Sequence, residues 1–166
     1  VKPSSHGEAS RIRFPQTRMG VEQVYYNAFT RAQEYELEWS EFFQYYDALK
    51  KKDKDLAVPP RKDLELDALV QIMNESRFIS CHSYQQSEIN MLMHVGDSMG
   101  FRVNTFTHIL EGYKVADKMK AHGAGGSTFS DWWAYKYEVN DAIPYNGALM
   151  HQQGIVTAYN SDDAEM

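Results

Sequence analysis

The chain has 166 residues, a formal net charge of −6 at pH 7 and 43% hydrophobic residues, enough for one ordinary domain with a buried core. The acidic balance and the lack of a basic stripe argue against nucleic acid as a partner. No apolar run approaches the roughly 20 residues that cross a bilayer. The sequence therefore favours a soluble protein without a membrane partner, slightly favours the cytoplasm, and leaves any signal peptide upstream of Val1.

The first part of the chain is predicted to be a loop followed by helices. Residues 1–18 carry Pro, Ser, Gly and scattered Arg with little periodicity, which is typical of a loop. Over residues 19–50, apolar side chains recur at three- and four-residue steps and predict one long amphipathic helix. Pro59 and Pro60 end any continuation, and Asp63 is placed to cap a second helix.

The later part alternates strand and helix patterns. Four short strand-like runs are predicted at residues 77–82, 101–108, 126–129 and 154–159. The helices between them are predicted from a Ser87 cap to about Gly100, over 113–122, and over 141–153 with Pro144 in the first turn.

Strands that are separated by a covering helix run parallel, because the crossover returns the chain to the same end of the sheet. We therefore predict an α/β fold. Residues 1–75 are predicted to form a loop and helices that precede the sheet, and residues 76–166 are predicted to form parallel (β/α) units.

Three ionisable side chains follow strand ends in this scheme. His82 ends the first strand, His108 ends the second, and Asp162 follows the fourth. Because all strand ends lie at one edge, these side chains can converge. Two imidazoles and a carboxylate suit zinc or a similar divalent ion, which would activate a water molecule while the carboxylate moves its proton. Each histidine taken alone would more simply be a partly buried, hydrogen-bonded residue.

The segments around these positions share a pattern with a known family. They are Ser80-Cys-His-Ser-Tyr84, Thr107-His-Ile-Leu-Glu-Gly-Tyr-Lys114, Asn160-Ser-Asp-Asp163, Phe129-Ser-Asp-Trp-Trp-Ala-Tyr-Lys136 and Ala142-Ile-Pro-Tyr-Asn146. Together they resemble the amidohydrolase superfamily, above all its imidazolonepropionase-like branch, and the first three look like strands five, six and eight of that fold. The similarity runs from about Met19 to the end of the chain.

The resemblance implies roughly the second half of a TIM (β/α)8 barrel. It implies a metal-dependent hydrolase that acts on carbon–nitrogen bonds other than peptide bonds, in cyclic amides or related substrates, with metal-activated water as the nucleophile. It makes His82 and His108 ligands of one or two divalent ions, zinc first. It makes Asp162 both a ligand and the catalytic residue, with Asp163 as the adjacent alternative.

One departure from the family is large. The family's first strand carries a His-x-His pair, and this chain has none. The fourth-strand ligand is a lysine or glutamate in many members, and Lys2 does not follow any strand-like run. We therefore expect the chain to be a fragment whose partner is the missing N-terminal part of the barrel, with little or no activity alone.

Five further residues are predicted to face a small-molecule substrate. Glu111 lies three residues past His108, with a solvated turn carboxylate as the alternative interpretation. The other four are rim residues: Tyr84, Gln85, Trp132 and Trp133. Packing over the barrel rim is the alternative role for the two tryptophans.

Two further interpretations concern residues outside this set. Strand alternation puts Cys81 on the face opposite His82, which favours an inert buried thiol. His122 and His151 fall in last helical turns, where a cation complements the helix dipole.

Two other functions remain open at this point. The chain could be a non-catalytic α/β module, or an inert fragment that forms homo-oligomers through unpaired sheet edges. A metal-dependent phosphoesterase ranks lower, because the sequence has neither an arginine cluster nor a glycine-rich phosphate cradle.

Overall fold

The computed structural model of the protein describes residues 14–131 and 136–161. Over these residues the order of elements is α1 (Arg18–Ala48), α2 (Leu64–Met73), β1 (Ser80–His82), α3 (Gln86–Met99), β2 (Thr105–Thr107), α4 (Ala116–His122), β3 (Gly125–Phe129), α5 (Asn146–Gln152) and β4 (Thr157–Asn160). Short 3-10 turns lie at Lys54–Leu56, Gly112–Lys114 and Tyr137–Val139. The predicted alternation of strand and helix is therefore confirmed.

The four strands form one parallel sheet in the order β1-β2-β3-β4. His82 pairs with Thr107 across the first two strands, and Phe129 pairs with Asn160 across the last two. Each neighbour in the sheet is also the next strand along the chain. The carboxyl ends of all four strands consequently lie at the same edge, as the crossover argument requires.

The two faces of the sheet differ in chemistry. Phe106 is fully buried in the main core with side chains of α1, α3 and α4, and Thr128 bonds to Asn146 of α5, so the helices cover one face. Strand alternation places a second set of residues on the other face, which we call the inner face. Its members are Ser80, His82, Thr105, Thr107, Gly125, Ser127, Phe129, Ala158 and Asn160.

The inner face is mostly polar and half-buried. Parallel sheets are normally covered on both faces and are apolar throughout. A polar inner face is instead what the interior of a barrel presents close to a site.

The helix α1 is 31 residues long and is capped by Thr17, whose hydroxyl accepts from the Gly20 N–H at 3.0 Å. It packs against α2 and α3. Asp63 caps α2 as predicted, because its Oδ1 accepts from the N–H groups of Glu65 and Leu66 at 2.9 and 3.1 Å. None of the described helices is both long enough and apolar enough to cross a membrane.

Two predicted boundaries were wrong for the same reason, a hydrogen bond from a distant residue. Helix α3 begins at Gln86 rather than after a Ser87 cap, and the Gln86 N–H donates to the Glu111 carboxylate at 3.2 Å. The strand predicted over 101–108 is paired only at Thr105–Thr107. Upstream of it, the Val103 N–H donates at 3.0 Å to a ring nitrogen of His122 instead of to a neighbouring strand.

His122 corrects a further prediction. Its side chain is 3% exposed, its Nδ1 lies 2.6 Å from Asp97 Oδ1, and its Nε2 accepts from the Val103 N–H. A ring nitrogen that accepts a hydrogen bond carries no proton. His122 therefore bridges α4, α3 and the segment before β2 as a hydrogen-bonding group, and does not act as a dipole-complementing cation.

The two remaining helix predictions started too early. Gly112–Lys114 forms a 3-10 turn before α4 begins at Ala116. Helix α5 begins at Asn146, beyond Pro144.

A partly buried ion pair joins the start of α1 to α3. Arg18 Nε lies 3.1 Å from Glu88 Oε1, and the side chains are 53% and 8% exposed. Burial raises the pKa of Glu88, and the Arg18 guanidinium opposes this only in part. The folded protein therefore holds the Glu88 proton more tightly than the unfolded chain does.

This linkage gives a pH prediction. The stability contributed by a raised carboxyl pKa is present below about pH 4.3 and is lost as pH rises through the folded pKa. We expect Glu88→Gln, which does not titrate, to gain free energy of unfolding relative to the parent between pH 4 and pH 7. Urea unfolding at four pH values measures this difference. The exposed Glu38→Gln is the control substitution, and a difference for Glu88→Gln that does not change with pH would contradict the assignment.

Candidate active site

The structure brings two of the predicted ligand residues together. His82 is the last residue of β1, and His108 directly follows β2. Their ring centroids are 4.8 Å apart at an interplanar angle of 39°. The row continues on both sides, with the Tyr84 ring 4.8 Å from His82 and the Phe129 ring 5.0 Å from His108.

The position of the His108 ring depends on an unusual backbone conformation. Thr107 pairs with His82 in register, so simple alternation would send the next side chain to the opposite face. His108 instead has φ +60°, in the left-handed region. This conformation costs a residue with a side chain about 1–3 kcal/mol. It breaks the alternation and leaves the His108 ring beside the His82 ring.

Two elements fix the residue that follows His108. The Ile109 N–H donates to the Ser127 carbonyl of β3 at 3.0 Å. The Ile109 carbonyl accepts from Asn146 Nδ2 of α5 at 2.9 Å. Asn146 also donates to Thr128 Oγ1 at 2.8 Å, accepts from the Tyr113 N–H at 2.9 Å and is 2% exposed.

Asn146 therefore positions the segment that carries the candidate ligand His108, although it does not belong to that segment. Sequence reasoning gave it no role of its own. The available signal was a polar residue four positions before Met150, on the buried face of α5.

The separation of the two imidazoles is compatible with a shared divalent ion. With zinc–nitrogen bonds of about 2.0–2.1 Å, two imidazoles on one ion have ring centroids roughly 5 Å apart, close to the observed 4.8 Å. Within residues 14–131 and 136–161, no group of three or more His, Cys, Asp or Glu side chains is arranged to hold an ion. Asp162 and Asp163, the predicted third ligand and its alternative, lie outside these residues. Their roles stay predictions.

Two of the predicted substrate-facing residues join the rim to the segment after β3. Lys136 Nζ lies 4.5 Å from the centre of the Tyr84 ring. Gln85 Nε2 donates to the Glu138 carbonyl at 3.1 Å. Tyr84 also contacts His82, so it stands between the candidate ligand and this segment. The other two rim residues, Trp132 and Trp133, lie outside the described residues.

Glu111 is not the solvated turn carboxylate that was the alternative prediction. It is 7% exposed, and its Oε2 accepts from the Gln86 N–H at 3.2 Å and from Lys114 Nζ at 3.3 Å. Lys114 also forms an ion pair with Asp141, which raises the pKa of Lys114 and lowers the pKa of Asp141. Glu111 thus joins the loop after His108 to the start of α3, and contact with substrate stays a prediction.

The Cys81 side chain lies on the face of β1 opposite to that of the His82 side chain, although both residues line the same cavity. It packs against the main core on the helix-covered face, and burial raises the pKa of its thiol. The thiol therefore stays protonated at neutral pH, which suits an inert group better than a nucleophile. It lines an apolar cavity of about 440 Å³ between α1, α2 and β1, together with Tyr25, whose pKa burial raises to about 12.

Comparisons with known proteins agree with this geometry. No family model matches the chain. The amidohydrolase tasK of Hapsidospora irregularis is 24% identical over 162 residues, which are 95% of this chain and 16% of that protein. The crystal structure of an amidohydrolase from Thermotoga maritima MSB8 superposes with a TM-score of 0.75 and 19% identity, over 94% of this chain and 38% of that one.

The structural match confirms the predicted fold class, an α/β fold that corresponds to part of a TIM barrel. The two matches support the resemblance to the amidohydrolase superfamily, and neither names the imidazolonepropionase-like branch. The chain spans 16% of the length of the curated relative and 38% of the solved chain.

Removal of the Asn146 amide should destabilise the fold. Asn146→Ala leaves the Ile109 carbonyl, the Thr128 hydroxyl and the Tyr113 N–H without their buried partner. We expect a loss of about 2–4 kcal/mol in the free energy of unfolding, measured by urea denaturation. Asn90→Ala, which removes an exposed contact with Lys118, should cost less than about 1 kcal/mol. Equal losses in the two variants would contradict the role of Asn146.

The left-handed backbone at His108 can be tested by two truncations. His108→Gly and His108→Ala both remove the imidazole, but only alanine keeps the strain of φ +60°. We expect the glycine variant to be more stable by about 1 kcal/mol in thermal or urea unfolding. Glu75, at φ 55°, is the matched control site and should give the same order. A more stable alanine variant at residue 108 would show that this conformation is not held.

Proposed function

We propose that the protein is part of a metal-dependent hydrolase of the amidohydrolase type. This hydrolase cleaves carbon–nitrogen bonds other than peptide bonds in cyclic amides or related substrates. The observation that carries the proposal is the His82–His108 pair, with ring centroids 4.8 Å apart at the carboxyl edge of a parallel sheet. This is the edge where α/β barrels bind substrates. The similarity to two amidohydrolases supports the reaction class.

In this proposal, His82 and His108 hold zinc or a similar divalent ion, and Asp162 completes the set, with Asp163 as its alternative. When bound, such an ion activates water and polarises a carbonyl group. The left-handed backbone at His108 orients one ligand, and contact with the Phe129 ring supports it.

In this proposal, residues of this chain transfer the proton and form part of the substrate cleft. A carboxylate oxygen of Asp162 takes the proton of the attacking water and passes it to the leaving nitrogen, in the general acid–base role. Tyr84, supported by Lys136, forms one wall of the substrate cleft. Gln85 joins the same wall through its bond to Glu138.

We further propose that residues beyond this chain supply the rest of the barrel, including the His-x-His pair and the fourth-strand ligand. Among the described residues, β1 pairs on one side only and lies beside the 440 Å³ apolar cavity. A preceding strand would pair with that edge. Without it the metal set is incomplete, so the isolated 166-residue chain should have little or no activity.

The same edge favours one alternative function, that of a module which self-associates. An unpaired strand offers backbone groups to a second copy. A clean monomer in dilute solution, measured by analytical ultracentrifugation, would remove this alternative.

Zinc binding tests the proposal in the full-length gene product. We expect His82→Ala and His108→Ala each to weaken zinc binding by at least about 10-fold, as loss of a ligand requires. Metal content after dialysis against a zinc buffer, measured by mass spectrometry, reports this directly. His151→Ala, which removes an exposed histidine of α5, is the matched control and should keep the parental content.

Hydrolysis of cyclic amides provides the second measurement. A zinc chelator should abolish it and added zinc should restore it, because the ion is required for the reaction. Unchanged zinc content in both His82→Ala and His108→Ala would contradict the assignment of the two histidines as metal ligands.

A further inference from the structure

The side-chain amide of Asn160 is held in a fixed orientation at the edge that carries the two histidines. Asn160 ends β4 and pairs in register with Phe129 of β3. Its Oδ1 accepts from the Ser127 hydroxyl at 2.7 Å, and its backbone carbonyl accepts from the Ser130 N–H at 3.0 Å. One half of the amide is therefore engaged within the sheet.

Among residues 14–131 and 136–161, the other half of the amide is an unused donor. Asn160 Nδ2 is shielded from solvent, and it has no hydrogen-bond partner among residues 14–131 and 136–161. A buried donor without an acceptor costs about 1–3 kcal/mol. Groups of this kind are retained where a ligand supplies the acceptor.

The nearby carboxylate is already engaged with other groups. Asp131 accepts from the Ser130 hydroxyl at 3.0 Å through one oxygen and from the Ser161 hydroxyl at 3.2 Å through the other. Neither contact involves the Asn160 amide. We therefore infer that a bound ligand supplies the acceptor for Asn160 Nδ2.

The surroundings place this donor beside the candidate metal centre. Phe129, the register partner of Asn160, lies with its ring 5.0 Å from His108, and the His108 ring lies 4.8 Å from His82. All of them lie at the carboxyl edge. A substrate that reaches the two histidines therefore passes the end of β4.

We propose that Asn160 is a substrate-binding residue whose Nδ2 donates a hydrogen bond to an oxygen of the substrate's amide group. This inference rests on the proposed hydrolase function, because that function brings an amide carbonyl to the edge. A neutral amide donor favours an acceptor oxygen and discriminates against substrates that present an N–H at the same place. Asn160 thus contributes to the choice of substrate without holding the metal.

The test uses acetohydroxamate, a small metal-binding amide analogue, and the zinc-loaded full-length protein. Isothermal titration calorimetry gives the Kd, and metal analysis and thermal unfolding are run on every variant. Asn160→Ala should weaken binding about 10-fold, the value expected for one hydrogen bond. Asn160→Asp has the same shape but only acceptors, so it should weaken binding more than Asn160→Ala.

A second variant keeps the test decisive if substitutions at residue 160 unfold the protein. Ser127→Ala removes only the hydroxyl that orients the amide. It should weaken acetohydroxamate binding about 3-fold, since a rotating amide loses part of one hydrogen bond. An unchanged Kd in Ser127→Ala would then overturn the proposal.

The remaining outcomes separate the two proposals. Folded Asn160 variants that keep their zinc and the parental Kd overturn the role of Asn160 and leave the hydrolase function standing. Loss of zinc together with hydroxamate binding also overturns it, because Asn160 would then support the metal. Retention of zinc by both His82→Ala and His108→Ala is the separate sign that the hydrolase function itself fails, and the role of Asn160 fails with it.

Discussion

The left-handed backbone at His108 is the constraint on which the candidate site depends. Without it, alternation along β2 would send this imidazole to the face covered by helices. The strain is maintained because Ile109 is fixed at both ends, by the Ser127 carbonyl of β3 and by the Asn146 amide of α5. Two elements that follow β2 in the chain therefore determine where His108, a candidate ligand, points.

The two faces of the sheet have different roles. One face joins the helices through a continuous core that includes Phe106 and Ile109, both fully buried. The inner face keeps hydroxyl, amide and imidazole groups. The core on the helix-covered face stabilises the fold, and the polar groups lie on the inner face, near the ends of the strands. Asn160 belongs to this second set: its amide oxygen is hydrogen-bonded, and its amide nitrogen has no partner in the described part of the chain.

Much of the architecture could be predicted because the signals are local. Periodicity located α1, the Asp63 side chain capped α2, and Gly100 ended α3 with φ +79°. The parallel order followed from the covering helices. The predicted starts of the helices were less accurate, because groups distant in sequence accept hydrogen bonds from the first N–H groups of a helix. The Glu111 carboxylate at the start of α3 is one such group, 25 residues away in sequence.

The sequence by itself determined which residues end the parallel strands, and hence that His82 and His108 come to one edge. It did so because strand period and crossover direction are properties of the local chain. Tertiary structure alone decided that the two rings lie beside each other, that Asn146 holds the segment after His108, and that His122 accepts a hydrogen bond from Val103. These features depend on hydrogen bonds between residues from 18 to 37 positions apart, which no periodic pattern records.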